Sequence, residues 1–600
     1  MHHISEVHIR NFKSIRDHKF PLSKYTPLVG YNNAGKTNVL KALLWLLKRT
    51  SLGSADFYDQ SQPVVVEVEV SGVDEDILSG VGESHRGRIS SYIVDGKFRI
   101  RRQQSIPGQS TTDIRLEIWD PRPHSKDADR WVFNPAGIDQ AITALFPEPI
   151  HIGAMENATE DVSKFGTNTT IGKLLKEIMD PVTRRHQTEV LRALEGLGGQ
   201  LSANSANKDP SLMALDQQIG AEIDTLFPGV TVKTHVPLPE FSDLMRAATI
   251  KIFEGRFDPE EGRDVSSFGH GAQRSIQMAL IKSLAERRSA ASDATNRTTL
   301  LLIDEPELYL HPQAIAVLKK ALRGLAGNGY QVVFTTHSAN MIGVNDAADT
   351  LLIRRDRAGE DEGTTCLPTL GEGVVKAIGD GSHQAETLFE LSNSSNILFA
   401  QKVVLAEGKT EKALLPDLIE YHTCESLVDA KLALVALGGS KNVPNAMNVL
   451  REMGLPCKAI VDLDFAFKVA PQHGLLDSSH DSHVAIKQIL LDLASRGEVA
   501  LGDDGFPKKH GGKFRAEQAW ECLAKQEAAI PHIRRLHDEL KSRNLWLWPG
   551  GAIEAHLPVQ KSDKARHRFL KQLRGMNVST LSEPLSLDQT VKDAIEWLRA

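Results

Sequence analysis

The segment Gly30-Tyr31-Asn32-Asn33-Ala34-Gly35-Lys36-Thr37 constrains this chain more than any other feature. It matches G-x-x-x-x-G-K-[ST], follows a strand-like stretch from Phe20 to Val29, and precedes an apolar-periodic helix from Asn38 to Lys48. Chance supplies about 0.02 such matches in a chain of this length, before the flanking strand and helix are demanded. Backbone amides of such a loop and the N-terminus of its helix hold phosphate oxygens. Gly30, Asn33 and Gly35 therefore shape the cradle, Lys36 neutralises the β- and γ-phosphates of ATP, and Thr37 ligates Mg²⁺. An α/β fold must surround this loop.

The second half of a nucleotide site stands far downstream. An all-apolar strand, Thr299 to Ile303, ends in Asp304 and Glu305. Adjacent acids at the end of a buried strand are costly unless they serve a metal or a base. Asp304 is expected to face the metal, and Glu305 the water that attacks the γ-phosphate. The run continues through Pro306 and Glu307 to Leu310-His311-Pro312, and Thr335-Thr336-His337-Ser338 follows another strand, Tyr330 to Thr335. Upstream, Phe268-Gly269-His270-Gly271-Ala272-Gln273-Arg274 opens a helix from Ala272 to Arg288.

This series resembles the ABC-type ATPase heads of the SMC, Rad50 and RecF group. The resemblance implies that His337 contacts the γ-phosphate and that Gly269, Gly271 and Gln273 cap ATP bound to a second copy, making a homodimer or higher assembly. The signature departs from Leu-Ser-Gly-Gly-Gln, with His270 at the serine and Ala272 at the second glycine.

Between these halves, Val64 to Val70, Arg88 to Gln104 and Asp113 to Trp119 read as strands of an antiparallel sheet. Ile171 to Phe227 reads as helical, with a polar loop from Leu201 to Pro210, and is taken as an inserted helical arm spanning about 171–230. Asp349 to Arg354 reads as a further strand and Gly359 to Gly363 as a turn. A second α/β unit begins after the Ser/Asn cluster at Ser392 to Asn396: strand Lys402 to Leu405, helix Lys412 to Tyr421, strand Leu432 to Leu437, helix Val443 to Met453, strand Lys458 to Val461. The expected domains are thus 1–398 and 399–600.

The second unit carries its own acids. Glu407 ends one strand, Glu411 lies in the first turn of the next helix, and Asp462 and Asp464 end another strand. Strand ends of an open α/β sheet converge on one crevice. Carboxylates crowded there call for hard cations, Mg²⁺ or Mn²⁺ with Ca²⁺ as a further occupant, and two such ions suit phosphodiester hydrolysis. Gly438-Gly439-Ser440-Lys441 ends the middle strand and is placed to approach a phosphate. Glu554, after Leu547-Trp548-Pro549-Gly550-Gly551, is expected to add a further metal ligand, and Lys561, Lys564 or Lys571 a cation for the transition state. His473, His480 and His483 read as solvated loop residues.

The spacing of Glu407 and Asp462-x-Asp464 resembles the Toprim domain of topoisomerases, primases and certain nucleases, a Rossmann-like fold. An ABC-type head with an inserted dimerisation arm, followed by Toprim, resembles the OLD (overcoming lysogenisation defect) family. Its relatives act in bacterial anti-phage defence, among them the nuclease subunit of the Gabija system. The resemblance implies an ATP-regulated, metal-dependent DNA endonuclease working as a homo-oligomer, with a helicase-like or other defence protein as a further partner. Its catalytic set would be Glu407, Asp462, Asp464 and Glu554, with Glu305 for ATP.

A second reading is a RecF-like or SMC-like DNA-binding clamp with a non-catalytic Toprim domain, and the intact Glu407, Asp462 and Asp464 oppose it. A topoisomerase is disfavoured because most of the seven tyrosines lie in the ATPase part.

Charge bears on the DNA expectation. The 70 Lys and Arg against 77 Asp and Glu give a net charge of -7, with no bulk positive field. From Lys508 to Arg574, however, 15 basic residues face 7 acidic ones, so the basic excess lies in the same third of the sequence as the acids. Four scattered cysteines, with no C-x-x-C pair, support neither a disulfide framework nor a zinc ribbon and read as buried or inert reduced thiols. With no apolar run of about 18 residues and no signal-like N-terminus, the expected location is the cytoplasm, without a membrane.

Overall fold

Alternating apolar and polar residues near the N-terminus build an antiparallel sheet. In the computed structural model its strands run in the order Ile15–Pro21, His3–Phe12, Val64–Ser71, Phe98–Gln104, Arg115–Trp119, Trp131–Phe133. Register aligns Phe20, Val7, Val68, Ile100 and Ile118 side by side, and all five are buried. The opposite face is polar and aromatic: Glu67 pairs with Arg99, Glu117 with Arg101, and the Arg101 guanidinium lies 4.5 Å from the Trp131 ring centre.

The structure describes residues 1–79, 83–122, 130–133, 137–146, 148–154, 200–235, 250–253, 262–290, 298–356, 362–381, 395–508, 513–557, 563–575 and 587–600, with a few isolated positions besides. The chain divides into two compact units, Met1–Tyr25 with Thr37–Thr336, and Thr26–Lys36 with His337–Ala600.

Two expected strands differ. Phe20 to Val29 is two strands, Ile15–Pro21 and Tyr25–Val29, because Pro21 has no N–H to continue the ladder and the Ser23 hydroxyl donates to the Tyr25 carbonyl across the break. Within Arg88 to Gln104 only Phe98–Gln104 is a strand, and Glu83–Ile89 is helical. Asp95 and Gly96 take positive φ (51° and 70°) between Val94 and Lys97, which exchange both backbone bonds at 2.9 Å, a tight two-residue turn. Of the expected arm, the helix Pro210–Leu226 is present, with Asp209 accepting from the Ser211 amide as its cap; positions 171–199 lie almost entirely outside the described residues, as does most of the turn from Gly359.

The first unit also holds a parallel sheet, Ile150–Ile152, Thr299–Ile303 and Tyr330–Thr336, whose last two strands are wholly buried, as strands covered on both faces must be. Helices His270–Ala290 and Pro312–Ala326 pack against one another beside it. His311 caps the second helix, accepting from the Gln313 amide, and Pro312 opens it. Gln331, fully buried, fastens the two sheets of this unit: its carbonyl accepts from the Ile4 amide at 2.9 Å, and its amide donates to Ile4 and Ser23 carbonyls at 2.7 and 3.0 Å.

In the second unit Tyr25–Val29 runs parallel to Leu351–Asp356, which pairs antiparallel with Gly363–Leu367. A separate all-parallel sheet has the order Leu432–Ala436, Lys402–Ala406, Cys457–Val461, Leu545–Leu547. Its side chains alternate between two cores: Val403, Leu405, Ala459, Val461, Leu545 and Leu547 enter one, and Val404, Ile460 and Trp546 the other. No helix among the described residues is long and apolar enough to cross a membrane. Cys424 is exposed, unlike the other three cysteines.

Replacing Gln331 by Leu strands a buried N–H and two buried carbonyls, so unfolding in urea should lose on the order of 3 kcal/mol. A loss within experimental error would show that Gln331 does not fasten the sheets.

Candidate functional site

The phosphate-type loop has the local geometry its glycines require. A Cβ on Gly30 would stand 2.3 Å from the Ile353 carbonyl oxygen, so only glycine fits. Gly35 takes φ 101° and Asn33 φ 65°, left-handed conformations that these residues tolerate best. The Lys36 ammonium, 5% exposed, donates to the Gly30 and Tyr31 carbonyls at 3.0 and 3.1 Å and lies 2.9 Å from His337 Nε2. Two residues chosen from motifs three hundred positions apart thus share one hydrogen bond.

Within the first unit, Thr37 directs its hydroxyl at both carboxylate oxygens of Asp304, 3.1 and 3.0 Å away. Thr335 also donates to Asp304, and its Oγ1 accepts from the Glu305 amide at 3.0 Å. Glu305 has φ 47°, a strained conformation that turns the chain where the apolar strand ends. Arg274, buried at 5% exposure, donates to the Asp304 and Glu305 carbonyls at 2.8 Å each and to the Gly153 carbonyl at 3.2 Å. Burial lowers its guanidinium to about 10, opposed by the charges of Glu307, Asp304 and Glu305. Sequence reasoning quoted Arg274 in the signature without giving it a role; a basic residue inside an apolar-periodic helix was the available signal. Gly269 is exposed and a Cβ there would meet open space, while Gln273 is buried and donates to the Phe268 carbonyl at 2.7 Å.

The acids of the second unit gather at one end of the parallel sheet. Glu407 follows Lys402–Ala406, and its carboxylate accepts from the Asp462 amide at 3.1 Å. Burial pushes its carboxyl up to about 7, reinforced by the charges of Asp464 and Glu411 and opposed by hydrogen bonds from the Asp462 amide and the Ser440 hydroxyl. Glu411 is buried in the first turn of the helix Lys409–Thr423. Asp464 immediately precedes the short helix Phe465–Lys468 and pairs with Lys468 at 3.2 Å. The Leu463 amide donates to the Gly551 carbonyl and the Trp548 amide to that of Val461, which lays the segment bearing Glu554 along the Asp462 loop. Glu554 is 8% exposed, and its Oε1 has no hydrogen-bond partner.

Among the described residues no three His, Cys, Asp or Glu side chains close to metal-ligating distance. Repulsion between like charges opposes closer approach, and the donor set of hard oxygens, with the orphaned Oε1 of Glu554, fits a hard divalent cation.

Two residues here escaped sequence reasoning. Ser440, expected to approach a phosphate, also hydrogen-bonds Glu407, a role not read from the sequence. Lys468 was not considered, although an acid and a lysine four apart at a helix start were legible. Its ammonium also lies 5.8 Å from the Trp520 ring centre. Lys564 and Lys571 are exposed on the helix Asp563–Gly575, and Lys561 lies outside the described residues. His473 is exposed and His480 caps the helix Asp481–Ser495, but His483 is not solvated: it is 2% exposed and packs on Phe467 with ring centres 5.0 Å apart.

The family model for the overcoming lysogenization defect protein-like Toprim domain matches residues 398–464, and that for an AAA ATPase domain matches 3–114 and 152–342. The Old nuclease of Escherichia phage P2 is 34% identical over 555 residues, covering 92% of each chain. The OLD nuclease of Thermus scotoductus is 21% identical over 476 residues, covering 77% of this chain and 82% of its own. An SMC head bound to the C-terminal winged-helix domain of ScpA, 14% identical, covers 61% of this chain and 97% of its own at a TM-score of 0.35, too low to carry an argument.

A protonated Glu407 cannot ligate a cation, so protons compete with metal below its pKa of about 7. Calorimetric titration with Mn²⁺ should show affinity rising up to about tenfold per pH unit toward that value and levelling above it. The Glu407→Gln chain should lack this dependence; an affinity flat with pH in the parent would remove Glu407 from the ligand set.

Proposed function

The chain belongs to the OLD family of nucleases, ATPase and Toprim nuclease in one polypeptide, and on that footing we propose that it cleaves DNA at the Glu407–Asp464 site under the control of ATP bound at Lys36 and Thr37. The observation that carries this reading is the meeting of two strand ends, where the Glu407 carboxylate after Lys402–Ala406 accepts from the Asp462 amide after Cys457–Val461 at 3.1 Å. An acid cluster at the mouth of parallel strands, half-buried at Glu407, Asp462 and Asp464 and buried at Glu411 and Glu554, suits cation binding and phosphodiester chemistry.

Glu407, Glu411, Asp462, Asp464 and Glu554 would hold divalent cations, Mg²⁺ or Mn²⁺, with Ca²⁺ a further occupant. Bound there, such ions lower the pKa of water and stabilise the leaving oxygen. The chain's own groups prepare the site. Ser440 and the Asp462 amide orient Glu407, and Lys468 holds Asp464 in place.

On the ATPase side the loop amides and Lys36 would bind the phosphates, Thr37 and Asp304 would hold Mg²⁺, Glu305 would orient the attacking water and His337 would read the γ-phosphate. Arg274 fixes the Asp304–Glu305 backbone on which that site would be built. The boundary between the ATPase and nuclease portions lies near residue 398. The open face at Gly269 and the exposed Leu226 and Phe227 of the arm suit a homodimer, in which Gly269, Gly271 and Gln273 cap the second copy's nucleotide. Anti-phage defence in the cytoplasm, with a helicase-like or other defence partner, is the setting that the family resemblance favours.

Asp464→Ala should abolish nicking of supercoiled plasmid in Mg²⁺ or Mn²⁺ while ATP hydrolysis persists, and Lys36→Ala should abolish ATP hydrolysis. Undiminished cleavage by the Asp464→Ala chain from a clean preparation would favour a clamp with a non-catalytic Toprim domain. DNA should contact the basic stretch from Lys508 to Arg574. Neutralising the exposed Lys564, Arg568 and Lys571 should lower the slope of log affinity against log salt by about 2 to 3; an unchanged slope would move DNA off that helix.

A further inference from the structure

The helix that begins at the phosphate loop, Lys36–Leu47, ends at a cavity of about 470 Å³ that plays no part in the chemistry above. From Thr37 to Leu47 it spans about 16 Å, so the cavity is remote from the Thr37–Asp304 pair. Its lining has an unusual charge balance: three guanidiniums, Arg49, Arg102 and Arg115, against one carboxylate, Asp139. Arg102 is 6% exposed and donates through Nε to the Leu46 carbonyl at 2.8 Å, so it caps the helix end and is fixed in place. Burial lowers its guanidinium to about 10, opposed by the charge of Asp139 and aided by that of Arg49. Arg49 and Arg115 are exposed, and among the described residues neither has a carboxylate within ion-pair distance.

Apart from Thr112 and Thr143, the remainder of the wall is apolar. Leu46, Ile142 and Phe146 form a floor, and the Arg115 guanidinium lies 3.8 Å from the centre of the exposed Phe133 ring, a flat cationic and aromatic surface. Surplus guanidiniums select phosphate, which they bind through paired N–H donors, while an apolar floor beside a flat stacking surface selects a planar ring. The volume falls within the range of small-ligand pockets, about 300 to 1,000 Å³, and excludes a duplex.

We propose that this cavity is a second phosphate-ligand site, taking one nucleoside phosphate, free or as the end of a strand, with its phosphate on Arg49, Arg102 and Arg115 and its base on Phe133. Because Arg102 seals the end of the loop helix, the ligand would bear directly on the element that presents Thr37.

The full-length Lys36→Ala chain, with the phosphate loop disabled, isolates the site. Fluorescent deoxyadenosine monophosphate should bind it, and orthophosphate should compete only at much higher concentration. Arg49→Ala with Arg115→Ala should weaken binding about tenfold or more, as loss of charge-assisted hydrogen bonds does. Both substitutions are at exposed positions, and an unchanged melting temperature checks that the fold survives; Arg102 is left intact because it caps the helix.

A terminally phosphorylated oligonucleotide that competes as well as the free nucleotide assigns the site to strand ends, and one that fails to compete assigns it to free nucleotides. No binding by the Lys36→Ala chain, binding indifferent to the arginine pair, or orthophosphate competing as well as the nucleotide would each overturn the proposal. None of these outcomes depends on whether the Toprim acids cleave DNA.

Discussion

The Asp304 carboxylate is the point on which the first unit turns. It accepts hydroxyls from Thr37 and Thr335, while its own carbonyl and that of Glu305 are held by Arg274. A carboxylate at 8% exposure needs donors, and here two hydroxyls supply them while a buried guanidinium holds the backbone beside it. Those donors come from the loop helix, the neighbouring strand and the signature helix. A strand end held from three elements fixes all three, which is why it also organises the packing around it.

The acids of the Toprim sheet are balanced differently. Glu407 has an amide and a hydroxyl, Asp464 has one lysine, and Glu554 keeps an oxygen with no hydrogen-bond partner. Burial and mutual repulsion leave Glu407 titrating near neutrality, where an exposed glutamate would be fully ionised. Stability and function oppose one another in such a cluster, since every donor added to neutralise the acids would occupy a position that a cation needs.

Much of this was legible in the sequence because it rests on short-range chemistry. The loop glycines, the apolar strand before Asp304 and the acids after Lys402–Ala406 and Cys457–Val461 announce themselves by period and spacing. Even the division of the Phe20 to Val29 stretch was available in Pro21, and the Asp95-Gly96 turn is a hairpin signal that the apolar pattern overshadowed. Arg274, Gln331 and Ser440 were not available in that way. Each acts across tens to hundreds of positions on backbone groups or carboxylates, and no local pattern marks which buried donor meets which distant acceptor. His483 misled for the related reason that its polar neighbours in sequence are not its neighbours in space.

Both units use the same device, a five-residue apolar strand of a parallel sheet that delivers an acid at its C-terminal end, and they differ in what surrounds the acid. Asp304 accepts from two hydroxyls, whereas burial and neighbouring acids raise the Glu407 carboxyl to about 7. The first arrangement suits a site that must stay intact between rounds of nucleotide exchange. The second leaves affinity for cations unspent in the protein itself, which is what hydrolysis of a phosphodiester demands of a metal site. On the proposed function a single kind of strand end would serve nucleotide binding in one place and bond cleavage in another, the deciding variable being how completely the fold satisfies the carboxylate.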